Sequence, residues 1–406
     1  MTSYPKARIK VLLLENVHSS AHELFRLDGV PIESVSGALK HDELSARIAD
    51  VHILGIRSKT QVTESNLEGA RRLLAIGCFC IGTSQVDLVA ANAHGIPVFN
   101  APFSNTRSVA EMVIAEVIVL ARHLGDRFRE LNAGNWRKVS TGSLEVRGKT
   151  LGIVGYGHIG RQVGVLAEAI GMRVLFYDVA TKLPMGNNHA VASLVELLGA
   201  SDFVTLHVPE TQQTRGLVGP AELAAMRPHA HLLNASRGSV VVLGAVAEAL
   251  RSGHLAGAAI DVFPEEPEAN GEGFVSELRG LPNVLLTPHV VGATEEAQEA
   301  IGREVATSLV KFINTGATTG AVNFPQVEVP HSPGKHRILN VHHNVPGVLR
   351  DINHIVSELG ANIHAQHLAT DSAIGYLNMD LDQDVSNEVK RRIAALDTSI
   401  RTRILY

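Results

Sequence analysis

The chain has 406 residues, 45% hydrophobic, 19% charged and 4% aromatic; this profile folds throughout and exceeds what one hydrophobic core fills, so two or three domains are expected. Its 36 basic and 41 acidic residues leave a formal charge of -5, which argues against nucleic acid or an anionic membrane as main partner and leaves small molecules. No apolar run approaches the roughly 20 residues that span a bilayer, and the N-terminal residues do not resemble a signal peptide, so a cytoplasmic enzyme is expected.

The first hundred residues alternate apolar runs, at 9–14, 52–56 and 73–76, with amphipathic segments, the rhythm of a parallel βαβ sheet. Cys78 and Cys80 fall in the apolar stretch 73–81; two thiols are too few for a structural zinc site, so packing is expected, with no metal and no ordinary disulfide. From 105 to 125 the sequence becomes almost wholly apolar, SVAEMVIAEVIVLARHL, which predicts one long buried helix between two lobes. Trp136, the sole tryptophan, is expected to pack. Six further strands are predicted, one starting at Lys149 and the others at 174–178, 203–208, 231–235, 258–262 and 284–287. A helical pattern at 295–315 then carries the chain back to the first lobe. Pro325, Pro330, Pro333 and Gly334 give 324–335 the composition of an extended linker. The tail reads strand, helix, strand, strand, helix, strand at 337–343, 347–359, 362–370, 375–381, 385–395 and 399–406, the split βαβ plan.

Chemistry enters with KTLGIVGYGHIG. Gly155, Gly157 and Gly160 form a GxGxxG directly after an apolar strand and at the opening of a helix. The first glycine permits the tight turn, the second lets backbone approach a pyrophosphate, and the third lets helix and strand pack closely; the helix N-terminus favours phosphate charge. The next predicted strand ends at Asp178, where a carboxylate accepts from ribose hydroxyls and repels a 2′-phosphate. NAD is therefore expected over NADP, with Arg161 and Lys182 nearby weighing the other way.

Three polar residues then fall at predicted strand ends: Arg237 in NASRGSVV, Glu266 in AIDVFPEEPE and His289 in LLTPHVVGAT. Oxidising a hydroxy acid needs a cation for the carboxylate, a base for the hydroxyl proton and an anion to steady that base once protonated. Singly these residues read as a surface ion pair, a solvated acid and a satisfied histidine. In this order they read as a site.

With these four motifs, residues 5–325 resemble the D-isomer-specific 2-hydroxyacid dehydrogenases. The resemblance implies that Arg237 holds the substrate carboxylate or carbonyl, Glu266 orients and charge-stabilises His289, and His289 takes the hydroxyl proton. It implies NAD contacts from Gly155, Gly157, His158, Ile159, Gly160, Asp178, His207, Val208, Pro209, Ala235, Ser236, Arg237, Asp261, His289 and Gly292, with Asp261 facing the nicotinamide amide. The expected α/β fold has a flavodoxin-like substrate domain, 1–104 with 295–325, and a Rossmann-type doubly wound parallel-sheet cofactor domain, 105–294. A linker, 326–336, and a ferredoxin-like βαββαβ domain, 337–406, complete it.

GIRSKTQVTE, IGCFCIGTSQVDL and FNAPFSNTRSVAE resemble the branch of that family that acts on 3-phosphoglycerate. By that resemblance Arg57 and Ser58 bind the phosphate end, and Asn105, heading the long helix, and Gln298 lie on the substrate side. Lys59 and Arg107 read equally as solvated cations. VHHNVPGVLRDINHIVSELGANIHAQHLATD resembles an ACT domain, which implies that paired copies bind L-serine between subunits through His342, Asn344 and Asn362, in a homotetramer. Oligomerisation alone is the other reading of the tail. Pro333-Gly334 and Val291 depart from glycines frequent in the family, and proline shrinks hinge freedom. Other readings left open are a different D-2-hydroxy acid dehydrogenase (glyoxylate, hydroxypyruvate or 2-hydroxyglutarate), a side reduction of 2-oxoglutarate, and a dinucleotide-sensing corepressor scaffold.

Overall fold

The computed structural model describes residues 6–267, 270–330, 336–382 and 385–405. They divide into two compact units, Met1–Ser104 with Gln298–Tyr406, and Asn105–Ala297.

The first unit begins as an alternation of β1 (Val11–Leu13), α1 (Ser19–Leu27), β2 (Ile32–Ser34), α2 (His41–Ile48), β3 (Ile53–Ile56), α3 (Glu64–Gly69), β4 (Ala75–Cys78), α4 (Leu88–Ala93) and β5 (Val98–Phe99). Its strands pair in parallel in the order β2-β1-β3-β4-β5. Every residue of β1, β3 and β4 is buried, which is why these strands read as unbroken apolar runs. The sequence pattern misses β2 and β5: one is the largely exposed IES, the other only two residues long. Cys78 ends β4 and Cys80 lies beyond it, both free. Burial pushes the Cys80 thiol up to about 11, so it is no thiolate nucleophile near neutral pH.

In the second unit α5 (Thr106–Ala121) buries Val109, Val113, Val117 and Leu120, each contributing roughly 1.5–3 kcal/mol by leaving water. The one long helix expected through residue 125 stops at Ala121. His123 takes a left-handed φ of 52°, and α6 (Leu124–Asn132) starts afresh with no buried residue. Trp136, expected to pack, is 82% exposed.

There follow β6 (Thr150–Val154), α7 (His158–Ala169), β7 (Arg173–Tyr177), β8 (His189–Ala190), α8 (Leu194–Ala200), β9 (Phe203–Leu206), α9 (Pro220–Ala225), β10 (Ala230–Asn234), α10 (Leu243–Arg251), β11 (Leu255–Ile260) and β12 (Val284–Leu286). The strands form a seven-stranded parallel sheet ordered β12-β11-β10-β9-β6-β7-β8. The strand beyond the six expected is β8, two exposed residues on the sheet edge. After β6 the chain builds outward to β8, then crosses to β9 on the other side of β6. The order therefore reverses between β6 and β9, where open parallel sheets bind ligands beyond their carboxyl ends.

The helix α11 (Glu295–Thr315) brings the chain back to the first unit and places Ile301, Val305, Leu309 and Phe312 in its core. The tail folds as β13 (His336–His343), α12 (Val348–Glu358), β14 (Ile363–Thr370), β15 (Ile374–Leu381), α13 (Ser386–Ala394) and β16 (Ser399–Leu405). Its antiparallel sheet is ordered β14-β15-β13-β16. Residues 326–330, expected as free linker, are packed: Val327 and Val329 share a core with Leu339, Val341 and Tyr376. Arg337 donates to Asp380 Oδ1 at 2.7 Å and Oδ2 at 2.8 Å and to the carbonyls of Thr315, Val329 and Pro330, which occupies all five of its N–H donors. Pro333 and Gly334 lie outside the described residues. No described helix is long and apolar enough to cross a membrane.

Candidate active site

Because every strand of the seven-stranded sheet runs parallel, its carboxyl ends share one edge, and the residues just past those ends are brought together there. Past β6 comes Gly155, with φ 92°; a Cβ there would stand 2.5 Å from the His207 carbonyl oxygen, and one on Gly160 would stand 2.3 Å from the Gly155 carbonyl oxygen. Both contacts exclude a side chain. A Cβ on Gly157 would meet nothing within 4 Å, so the head of α7 is open on the side where a pyrophosphate binds a helix N-terminus. Asp178, past β7, accepts from the N–H of Tyr156 and of Ala180, each at 2.9 Å. This ties β7 to the glycine turn and leaves lone pairs for ribose hydroxyls. The donor set fits NAD.

The segment after Asp178 is braced from the same turn. Tyr156 stacks on Phe176, its hydroxyl donates to Asn188 Oδ1 at 3.0 Å, and the Met185 N–H donates to that hydroxyl at 3.1 Å. Past β9, His207 shares a 3.0 Å hydrogen bond with Thr205, and desolvation pushes its imidazole down to about 3, so it is neutral at physiological pH.

Past β10, the Asn234 side chain knots the NASRG turn. Its Oδ1 accepts from Ser236 N–H at 3.1 Å and Ser236 Oγ at 2.7 Å, while its Nδ2 donates to the Arg237 carbonyl at 3.0 Å. Arg237 is thereby fixed at its backbone, half-buried, with Nη1 on the Ser236 carbonyl at 2.7 Å. A Cβ on Gly238 would lie 2.0 Å from the Phe263 carbonyl carbon; only glycine lets this turn pass beneath the loop that carries Glu266.

His289 follows β12 with a left-handed φ of 55°, a conformation a residue with a Cβ rarely takes. The strain is held by Asp261, past β11. Its carbonyl accepts from His289 N–H at 2.8 Å, and its buried carboxylate accepts from Thr287 Oγ1 at 2.6 Å, Val290 N–H at 2.9 Å and Val291 N–H at 3.2 Å. Sequence reasoning gave Asp261 to the nicotinamide amide and missed this anchoring role. Val291 is buried in the core that α5 shares with the sheet, and Gly292 adjoins Asn105, which precedes α5.

The turn aims His289 Nδ1 at Glu266 Oε2, 2.8 Å away, while Glu266 Oε1 accepts from Phe263 N–H at 3.1 Å. The hydrogen bond that His289 donates to Glu266, then the charges of Glu266 and Asp261, raise the His289 pKa against burial and Arg237. For Glu266 burial pulls upward, but His289, Phe263 N–H and Arg237 together hold it below the ordinary carboxylate range. An imidazole whose Nδ1 is committed to an anion presents Nε2 to accept and return a proton. Glu116 on α5 is another residue the sequence reading passed over: it is 4% exposed, and burial, with the Asp261 charge, pushes it up to about 8.

In the first unit, Arg57 and Ser58 follow β3, half-buried and exposed respectively, and Gln298 lies in the first turn of α11. Arg107 pairs with Glu111 one turn on, both exposed, a contact worth no more than about 0.5 kcal/mol. In the tail, His342 is buried and bonded to Asn340 at 2.9 Å. Asn344 donates to the Asp371 carbonyl. His342 pairs with Gly375 at one end of β15, whereas Asn362 precedes Ile363, which pairs with Leu381 at the other; the separation is roughly 20 Å at about 3.3 Å per residue. No cluster of metal-ligating residues occurs among the described residues.

Residues 114–291 match the family described as D-isomer specific 2-hydroxyacid dehydrogenase, NAD binding domain, and residues 338–401 match the AHAS small subunit-like ACT domain. The chain is 56% identical over 405 residues to a D-3-phosphoglycerate dehydrogenase of Dictyostelium discoideum, spanning 100% of this chain and 99% of that one. It is 51% identical over 407 residues, with the same coverage, to the protein of that name from Escherichia coli K12. Among solved structures, D-lactate dehydrogenase from Aquifex aeolicus complexed with NAD and lactic acid is similar at a TM-score of 0.68 and 25% identity, over 78% of this chain and 100% of that one.

Proposed function

Because this chain belongs to the D-isomer specific 2-hydroxyacid dehydrogenase family, matched end to end by D-3-phosphoglycerate dehydrogenases, we infer that it catalyses NAD-dependent oxidation of D-3-phosphoglycerate to 3-phosphohydroxypyruvate, the first step of phosphorylated serine biosynthesis. The observation that carries the reading is the 2.8 Å contact between Glu266 and His289 at the carboxyl edge of an NAD-binding sheet.

NAD, bound along that edge, supplies the hydride acceptor. Every other task falls to the chain's own residues. Arg237 takes the substrate carboxylate in a charge-assisted bond. His289, neutral at the outset, accepts the hydroxyl proton at Nε2 as the C–H hydride departs, and Glu266 stabilises the imidazolium that forms. The NASRG turn with Ala235 and Ser236, the His207–Pro209 segment and Asp178 hold and orient the cofactor. Arg57 and Ser58 bind the phosphate, with Asn105 and Gln298 as further substrate contacts. The corresponding domains are 1–104 with 295–325 for substrate, 105–294 for NAD, 326–336 as connector and 337–406 as the ACT domain.

The tail is read as a sensor of L-serine. His342 and Asn344 stand at the opposite end of β15 from Asn362, so the three meet one small ligand only when Asn362 comes from a second copy. That supports a symmetric assembly, read here as a homotetramer. A cytoplasmic location fits an enzyme that draws on NAD and a phosphorylated metabolite.

The pH profile of Glu266→Gln tests the dyad. Glu266 raises the His289 pKa, and oxidation needs His289 neutral, so kcat/KM for oxidation climbs as pH rises through that pKa. Removing the anion lowers the pKa and moves the acid limb to lower pH, with kcat reduced roughly ten- to a hundredfold. An acid limb that stays in place would separate Glu266 from the titration of His289.

A further inference from the structure

Glu15, two residues past the end of β1, looks in sequence like a solvated acid at a strand end. In the structure it is 7% exposed and lies at φ 63°, followed by Asn16 at φ 52°; successive left-handed residues of this kind persist only when their surroundings enforce them. A buried carboxylate requires donors, and Glu15 finds three in a single loop. Its Oε1 accepts from the N–H of Arg57 at 3.3 Å and of Thr60 at 2.8 Å, and its Oε2 from the N–H of Lys59 at 2.9 Å. The carbonyl of the same residue is held by Gln85, whose Nε2 donates to the Arg57 carbonyl at 2.5 Å.

Both backbone polar groups of Arg57 are therefore committed to buried side chains, and its guanidinium is not. Among the described residues that guanidinium bonds only to the Glu15 carbonyl, at 3.5 Å. The Glu15 carboxylate is occupied by N–H groups, so it orients the backbone and leaves the fork of donors for a ligand.

We propose that Glu15, with Gln85, is a positioning residue for substrate selection: the pair clamps the Arg57–Thr60 loop so that Arg57 meets a phosphate monoester already oriented. This rests on the reading of Arg57 as the phosphate ligand. The clamp acts through Arg57, so its removal costs the phosphorylated substrate more than its unphosphorylated counterpart.

Glu15→Gln keeps the shape but turns one acceptor into an NH2 that faces the loop donor to donor. Initial rates are measured with phosphohydroxypyruvate and with hydroxypyruvate, alongside thermal unfolding. Expected is a loss in kcat/KM for the phosphorylated substrate of about tenfold or more, mostly in KM, and about fivefold larger than the loss on hydroxypyruvate. In an Arg57→Ala background, Glu15→Gln adds less than about twofold, because the two changes remove one interaction. Equal losses on the two substrates, no loss, or losses that multiply independently of Arg57→Ala would overturn the proposal. The two readings fail differently: equal losses on both substrates in Arg57→Ala itself sink the phosphate assignment, whereas selectivity lost in Arg57→Ala but kept in Glu15→Gln sinks the clamp alone. Should Glu15→Gln not fold, Gln85→Ala, which frees the Arg57 carbonyl, carries the same test, a substrate-selective loss supporting the clamp and a uniform loss or none overturning it.

Discussion

His289→Asn is expected to lower kcat with phosphohydroxypyruvate by about 10²–10⁴-fold, the usual worth of a positioned acid or base. The asparagine amide can still donate to Glu266 from near the position of Nδ1, so the local geometry is disturbed little. What is lost is the second ring nitrogen, the group that moves the proton while Glu266 holds the other. Stopped-flow single turnovers separate this from slow product release: the chemical step itself should slow, and NADH should still quench or enhance its fluorescence on binding. If wild type and variant turned over equally slowly, the dinucleotide-sensing scaffold would become the better reading.

Arg237→Gln is expected to cost about 10²-fold in kcat/KM, since it removes a charge-assisted bond and leaves the substrate carboxylate unpaired in the site. It also carries a signature of sign. Arg237 lowers the His289 pKa, whereas Glu266 raises it. Removing Arg237 should therefore move the acid limb of the oxidation profile to higher pH, opposite to the shift in Glu266→Gln. Shifts in the same direction in both variants would mean that the two residues do not face one imidazole. Lysine is no substitute here, because the turn fixed by Asn234 presents a planar fork rather than a point charge.

The elements that sequence patterning predicts well are those whose apolar residues face one continuous core. The period of α11, the buried runs of β1, β3 and β4, and the alternation in the tail are of this kind. The glycine turn is legible because three glycines answer separate steric demands at fixed spacing. The strands β2, β5 and β8 are invisible for other reasons: β2 and β8 are short and largely exposed, and β5, although both of its residues are buried, is too short to set a period. The end of α5 is set by a left-handed histidine, and the only hint of it in ARHL is the pair of basic residues that often sit at a helix C-terminus.

The chemistry divides in the same way. Arg237, Glu266 and His289 stand in separate motifs that composition makes conspicuous. The residues that aim them do not. Asp261 reads as part of the Glu266 motif, yet its carbonyl holds the N–H of His289 and its carboxylate those of Val290 and Val291, 29 and 30 residues on. Glu116 did leave a signal, a carboxylate at an interior position of an apolar helix. Glu15 left none, because its three partners lie more than 40 residues away, and only the pairing of β1 with β3 brings them within reach.

The most direct test of the whole account is the NADH-linked initial rate with phosphohydroxypyruvate, set against hydroxypyruvate and 2-oxoglutarate and repeated with L-serine. The account predicts a kcat/KM for phosphohydroxypyruvate about 10²-fold or more above that for the other two, since a site built to bind a phosphate leaves its donors unpaired with either, and a rate that falls as serine is added. Equal or better use of hydroxypyruvate or 2-oxoglutarate would contradict it.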